Sequence, residues 1–439
     1  MSRLARSLAL PALLAVAFSF SGQAGDFKAG FARRDITPTK PTPMWGYGAR
    51  HDALSVGVMD PLFAKAVVVE ATPDRLAIVG LDLGRSPTPP VMESIRKRVL
   101  ERAGVTRILM SGSHTHHGPV LELKDEAGKG KGKFDDAVAY VKELEDKLVE
   151  AICEAAGDLR DARIGWGSTE VDMNRNRHSK IEPKPRETEL AVIRLDDLSG
   201  KPIALIVNFA AHPTMLEASD LRFSADYPGQ MMNAVESALT APCVFMQGSA
   251  GDLSTKTTEE TRGHEAFGKA LASEVLKIAG GIETTVPEKP SIKAMDEDFD
   301  FTTRMDLRNP VIKLLLARAF FPELAGAFSD EVADSHLRPH LTTVLLNGEL
   351  ALVGASGEFF SNHSVRLKQR CRAEKTLFFG YCNGHHLYFP TIEGAAEGGY
   401  GADQTVSWVE LGGGERMMDK ALINLYTMMG KFEQVPIQP

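Results

Sequence analysis

The chain has no basic excess: 50 lysines and arginines stand against 58 aspartates and glutamates, a formal net charge of −8. That balance removes the electrostatic footprint on which nucleic-acid binding depends, so no nucleic-acid partner is expected. Lys124 to Lys133, lysines set among glycines and acids, reads as a solvated loop. Cysteine is scarce, and the spacing of Cys153, Cys243, Cys371 and Cys382 excludes a zinc cluster. In an oxidising compartment these four pair in three ways; Cys371 with Cys382, close in sequence and flanking a strand, is the first to expect. Long hydrophobic runs are lacking beyond the N-terminus, so no transmembrane helix is expected there. Internal repeats and low-complexity linkers are absent too, which speaks against a repeat array.

What is present begins with an address. Arg3 and Arg6 make a basic start, Leu8 to Phe20 an apolar stretch, and Ser21-Gly22-Gln23-Ala24 a small-residue cleavage site. Residues 1–24 read as an export signal, the mature chain starting near Gly25 and the protein being secreted or periplasmic. No cysteine follows the cleavage site to carry a lipid anchor. The remainder is long enough for one large core or two ordinary domains.

Short apolar strands alternate with amphipathic helices, which predicts an α/β fold: a mixed β-sheet core flanked by helices, with the active site on loops at the C-terminal ends of strands. Strands are expected over 64–70, 76–81, 107–110, 203–209, 244–247, 350–353 and 376–380. Helices are expected over 91–103, 135–156, 228–239, 264–279 and 417–430, each with apolar residues three and four apart. Residues 282–308, with alternating charges and phenylalanines, are read as an extra hairpin or an interdomain connection.

Five polar segments each follow one of these strands closely. They are Ser113-His114-Thr115-His116-His117-Gly118-Pro119; Asn208 to Thr214 around His212-Pro213; Gln247 to Ser254; Gly357-Glu358-Phe359-Phe360; and Tyr381 to Thr391, with His385, His386 and Tyr388. On an extended segment, residues two apart project to the same side. His114 and His116 can then reach one centre, a metal ion or a bound substrate; the alternative is a run of surface histidines. Five such segments carrying His, Glu, Tyr, Ser and Asp look like one site built from several loops.

An ordered set of motifs carries a family resemblance. It comprises Arg34-Asp35-Ile36-Thr37-Pro38 after Gly30, Trp45-Gly46-Tyr47, Ser113-His114-Thr115-His116 with Gly118-Pro119, Asn208-Phe209 with His212-Pro213-Thr214, Gly251-Asp252-Leu253-Ser254, and Gly380-Tyr381 with Tyr388-Phe389-Pro390-Thr391. Together these resemble the N-terminal catalytic domain of the neutral/alkaline, non-lysosomal ceramidases, over nearly all of the mature chain. That resemblance implies a zinc-dependent amide hydrolase with one Zn2+ per chain, cleaving N-acyl sphingosine to a fatty acid and sphingosine. It implies His114, His212, Glu358 and Tyr388 as zinc ligands and His116 as a substrate-contacting histidine. It also implies Ser254 as the serine put forward as a nucleophile in that family, and Arg175 as an arginine that contacts substrate. The partner is then a small-molecule or lipid N-acyl substrate, at a membrane surface if it is ceramide; the oligomeric state is left open.

The chain also departs from the family. Asn383-Gly384-His385 stands where the family has Asn-Asp-Tyr, and Glu393-Gly394-Ala395-Ala396 where it has Glu-Glu-Tyr, though Tyr400 keeps a tyrosine nearby. With the sequence ending at Pro439, the resemblance implies that residues 25–439 are the catalytic domain without the C-terminal immunoglobulin-like domain.

The expected chemistry is hydrolysis of an amide. Zinc held by His114, His212 and Glu358 activates water and polarises the carbonyl, Tyr388 is a fourth ligand or an oxyanion donor, and His116 shuttles a proton to the amine. His385 competes with Tyr388 for the metal, and His117 and His386 read as supporting residues. Ser254 lies in no Gly-x-Ser-x-Gly elbow, so a loop role stands beside a nucleophilic one. Asp252 and, less so, Asp82 are expected to orient a histidine or cap a loop, and Asp35 to be structural. Phe320-Phe321-Pro322 and Phe359-Phe360 are the phenylalanines that would line an apolar pocket. The competing readings are a zinc esterase or lactonase, a hydrolase of a smaller polar amide, and a metal- or ligand-binding protein without catalysis.

Overall fold

The computed structural model describes residues 27–123, 132, 134–319 and 334–432. The expected export signal, Phe320-Phe321-Pro322 and most of the lysine-rich loop lie outside them. An eight-stranded mixed sheet runs, from edge to edge, Cys243–Gln247, Pro202–Phe209, Glu189–Asp197, Arg160–Glu170, Phe27–Asp35, Phe63–Ala71, Asp74–Leu81 and Arg107–Gly112. Only the outermost pair at each end is parallel. The mixed α/β fold expected from the sequence is the fold observed.

The two halves of this sheet meet weakly, through Lys28↔Asp161 and Ala29↔Arg160, and fold face to face about that join. Alternation along the strands shows it. Val67, Val69 and Ile78 of one half share a core with Ile193, Leu195, Ile206 and Val244 of the other. Their neighbours Ala66, Val68, Ala77 and Val79 turn outward onto helices Pro89–Ala103 and Asp135–Gly157. Val192, Leu205, Val207 and Phe245 likewise face helices Asp226–Leu239 and His264–Gly281. Strands covered on both faces read as near-continuous apolar runs, and that made 64–70, 76–81, 203–209 and 244–247 legible in the sequence; Glu189–Asp197, equally apolar, is not among the strands expected.

A second sheet, in the order Ile292–Asp298, His340–Leu346, Leu350–Ala355 and Lys375–Phe379, packs with helices Ser361–Arg370 and Gly413–Met428. Within the ambiguous residues 282–308, Ile292–Asp298 form an edge strand of this sheet, paired over Ile292↔Leu346 to Asp298↔His340, and Phe301–Thr302 pair with His336–Leu337. The loop after Lys375–Phe379 closes the first sheet. Gly380 N–H donates to Gln247 O at 3.0 Å and Asn383 N–H to Met110 O at 2.8 Å, linking the two parallel edge pairs. Gly80 lies so close to the Phe245 carbonyl that a Cβ there would overlap it. The C-terminal ends of four strands therefore converge on one spot.

The expected Cys371–Cys382 disulfide is absent, and all four cysteines are free thiols. Cys382 is buried against Gly354 and Leu109 in the inter-sheet core, while Cys371 belongs to the cluster around the two C-terminal helices. No described helix is long and apolar enough to cross a membrane.

Candidate active site

His114 and His212 leave the ends of strands Arg107–Gly112 and Pro202–Phe209, and Gln247 joins their loops by donating Nε2–H to Ser113 O and Ala211 O, each at 3.0 Å. His114 Nδ1 lies 2.9 Å from Gly84 O and His212 Nδ1 2.7 Å from Ala250 O. Those carbonyls fix the proton on Nδ1 of each ring, leaving both Nε2 lone pairs free. The two Nε2 atoms nevertheless face each other at 3.1 Å, where neither has a proton to give. Glu358 Oε2, buried and without a hydrogen-bond partner, lies 3.3 Å from each of them. Three lone-pair donors crowded on one point repel unless a cation sits among them. Donors at about 2.05 Å around a tetrahedral zinc ion are about 3.4 Å apart, so the set fits that ion.

The remaining side chains complete the arrangement. Glu358 and Tyr388 are direct partners in a two-residue parallel ribbon, Glu358–Phe359 with Tyr388–Phe389. The Tyr388 hydroxyl lies 3.5 Å from His212 Nε2. Burial pushes its pKa well above the ordinary value, so it enters as a hydrogen-bond donor. His116 Nε2 is 3.4 Å from His114 Nε2. Burial, and then the neighbouring imidazoles, drive its pKa well down, and His212 falls to about 3 through burial and the Arg177 charge. Both rings are neutral, as ligands and bases must be.

The geometry departs from the sequence reading in how His114 and His116 converge. The strand ends at Gly112, and His114 adopts a left-handed backbone with φ 69°. A turn rather than strand pleat brings the rings together, a conformation that non-glycine residues adopt at a cost. His116 is then clamped over Gly46, whose φ is 102° and whose Cβ, if present, would overlap the imidazole. Gly46→Ala is expected to fold but to displace His116, lowering turnover about 100-fold while metal content stays at the wild-type level. Parallel zinc and rate measurements check this.

Of the other expected residues, some join the site and some do not. Arg175 lies on the short strand Asn174–Asn176, opposite Ser254; like Arg177 it is solvent-exposed, and it is its contacts that leave it outside the site. The arginine that enters is Arg177, whose Nη2 donates to Tyr388 Oη at 3.1 Å and Gly251 O at 3.1 Å and lies 2.8 Å from His212 Nε2. Asn176 causes the difference: its Oδ1 accepts the N–H groups of His178 and Ser179, and that turn swings the chain inward at Arg177. Ser254 lies beside His212 along the backbone, but among the described residues its hydroxyl has no hydrogen-bonded base. His385 Nε2 reaches Glu358 Oε1 at 3.1 Å. His117 Nε2 accepts from Arg50 at 2.7 Å, and His386 Nδ1 is held at 3.0 Å by Ser356.

Asp252 caps a loop, accepting from Ser361 N–H at 2.6 Å and Asn176 Nδ2 at 2.7 Å. Asp82 accepts from Phe63 N–H and bonds to no histidine among the described residues, and Asp35 turns its own loop at Thr37. The pocket above the centre, open to solvent, is walled by Trp45, Tyr47, Val120, Leu387, Tyr400 and Val406. Phe359 and Phe360 are not in that wall; they are core, stacked on Phe389 and packed on Tyr388 respectively.

Comparison with known proteins gives these features a lineage. Residues 27–266 match the family described as neutral/alkaline non-lysosomal ceramidase, N-terminal. Neutral ceramidase 3 of Arabidopsis thaliana is 28% identical over 202 residues, 42% of this chain and 27% of that protein. Neutral ceramidase A of Dictyostelium discoideum is 26% identical over 267 residues, 54% and 37% respectively. The chain thus matches about a quarter to a third of the length of these relatives. Neutral ceramidase from Pseudomonas aeruginosa superposes with a TM-score of 0.74 at 18% identity, covering 94% of this chain and 76% of that one. A second solved structure, a ceramidase complexed with C2, gives 0.72 over 94% and 77%. With more than half of its length matched by the family's N-terminal region, the chain belongs to the neutral/alkaline non-lysosomal ceramidase family.

Proposed function

We propose that this chain is an exported, zinc-dependent amide hydrolase that cleaves the N-acyl bond of ceramide or a closely related N-acyl lipid. The observation that carries the reading is the set of unprotonated donors on His114, His212 and Glu358, crowded on one point beneath a largely apolar pocket. Export rests on the basic, apolar and small-residue order of the first 24 residues, and residues 25–439 act as one catalytic domain in this proposal.

His114, His212 and Glu358 would hold one zinc ion. When bound, zinc supplies Lewis acidity to the scissile carbonyl and to the attacking water. The aromatic and aliphatic pocket wall binds the hydrocarbon part of the substrate and excludes water from it. The Tyr388 hydroxyl and Arg177 guanidinium, 3.1 Å apart, converge as donors where the carbonyl oxygen gains charge. His116 takes a proton at Nε2 as water attacks and returns it to the leaving amine. Its low pKa makes the imidazolium a strong acid for that second step. Ser254, lacking a base, takes no covalent role in this reading, and Arg175 takes none in substrate contact.

The test is zinc content and hydrolysis on one preparation, using a short-chain fluorescent ceramide, the matched ester and a polar N-acyl amide. About one zinc per chain with ceramide turnover dominant is the expected result. Turnover of the ester or polar amide alone would replace the substrate while keeping the site, and a chain that takes up no zinc would overturn the mechanism.

A further inference from the structure

His385 does not wall the pocket, and its contacts point at Glu358 rather than at the substrate. Glu358 uses its two oxygens for different partners: Oε1 lies 3.1 Å from His385 Nε2, and Oε2 faces His114 and His212 at 3.3 Å. Hydrogen bonding to a carboxylate through one oxygen fixes the direction in which the other is presented.

His385 is itself held rigidly. Asn383 donates Nδ2–H to Ile108 O at 2.7 Å, and Gly384 N–H donates to Ser86 Oγ at 2.6 Å, on the residues just before it. The edge of Trp45 meets its ring at 5.4 Å. The histidine is fully buried, and its Nδ1 has no hydrogen-bond partner. An orphaned buried nitrogen costs stability that an apolar ring of similar size would not, so packing does not favour histidine here. The gain has to come from the one bond it does make.

We propose that His385 is a positioning residue: by donating from Nε2 to Glu358 Oε1 it holds Oε2 on the His114–His212 pair and sets how tightly the site retains its cation. The proposal rests on the zinc reading above. The full chain and three variants, His385→Phe, His385→Asn and His385→Gln, are loaded with zinc, and the dissociation constant is read by competition with a chromophoric chelator. Unfolding midpoints of the metal-free proteins report on the fold. Phe has no donor and Asn is too short to reach Oε1, so both are expected to weaken zinc binding about 10- to 100-fold at unchanged or higher metal-free midpoints. Gln, whose amide reaches as far as Nε2, is expected to stay within a few-fold of wild type. Wild-type affinity in both folded donor-less variants, or equal weakening in Gln, would overturn the positioning role alone. A wild-type chain without zinc would overturn it together with the metal site.

Discussion

His212→Ala is expected to strip the zinc and lower turnover of the fluorescent ceramide by about 1,000-fold or more, the scale set by losing several kcal/mol of metal-derived stabilisation. The reason is geometric. The His212 tautomer is fixed by Ala250 O, its Nε2 stands 3.1 Å from that of His114, and among the described residues no other imidazole takes its place on that side. The substitution also opens space 2.8 Å from the Arg177 guanidinium and so loosens the donor aimed at the carbonyl oxygen. Metal analysis alongside rate measurement separates the two losses, because Arg177→Ala is expected to cost about 100-fold in rate while zinc remains. Arg175→Ala, at an exposed position, should stay within about threefold of wild type. Free imidazole added to His212→Ala should restore part of the zinc binding by filling the vacated volume. Full zinc occupancy and activity in His212→Ala would sink the assignment of the centre.

Much of this site was legible because its residues sit just past apolar strands. His114, His212, Glu358 and Tyr388 could be placed at strand ends from hydrophobic runs alone, and the structure brings them within a few ångströms of one another. What the sequence concealed was local backbone geometry. Arg175 and Arg177 are two apart in Asn-Arg-Asn-Arg, and alternation along a strand would give them the same side. Only the turn made by the Asn176 side chain sends Arg177 inward. The left-handed conformation of His114 is likewise invisible in residue type.

Phe27–Asp35, Glu189–Asp197 and His340–Leu346 were missed although they carry apolar residues; two further missed strands have a cause related to local chemistry. Arg160–Glu170 and Ile292–Asp298 carry charges on half-exposed faces and find their partners only across the fold. Their apolar content is too low to announce a strand, and neither turn chemistry nor periodicity reports a pairing with a distant segment of the chain. The cysteine pairing failed for the opposite reason. Proximity along the chain favoured Cys371 with Cys382, yet the intervening strand Lys375–Phe379 carries the two into different cores.

Asp82→Asn is expected to flatten the dependence of stability on pH. Asp82 is 3% exposed and accepts one hydrogen bond, from Phe63 N–H at 2.9 Å. Burial raises its pKa to about 7, with the Lys65 charge opposing. A carboxyl whose folded pKa lies above its unfolded value holds its proton more tightly in the folded state. Its contribution to stability is therefore complete below the unfolded pKa, about 3.9, and is lost as pH rises through 7. Between pH 5 and about 7 the unfolded carboxyl is ionised while the folded one keeps its proton, and each step of one in pH costs about 1.4 kcal/mol. From pH 5 to pH 8 the wild type should therefore lose about 2–3 kcal/mol that the variant does not. The asparagine Oδ1 can keep the bond from Phe63 N–H, but its buried Nδ2 group gains no acceptor and adds a pH-independent cost of about 1–3 kcal/mol, so the slope rather than the absolute midpoint is the readout. Chemical denaturation of both proteins at the two pH values supplies it, the shared titrations cancelling in the difference. Parallel profiles would mean that Asp82 is ionised in the folded protein across this range and that Lys65 outweighs its burial.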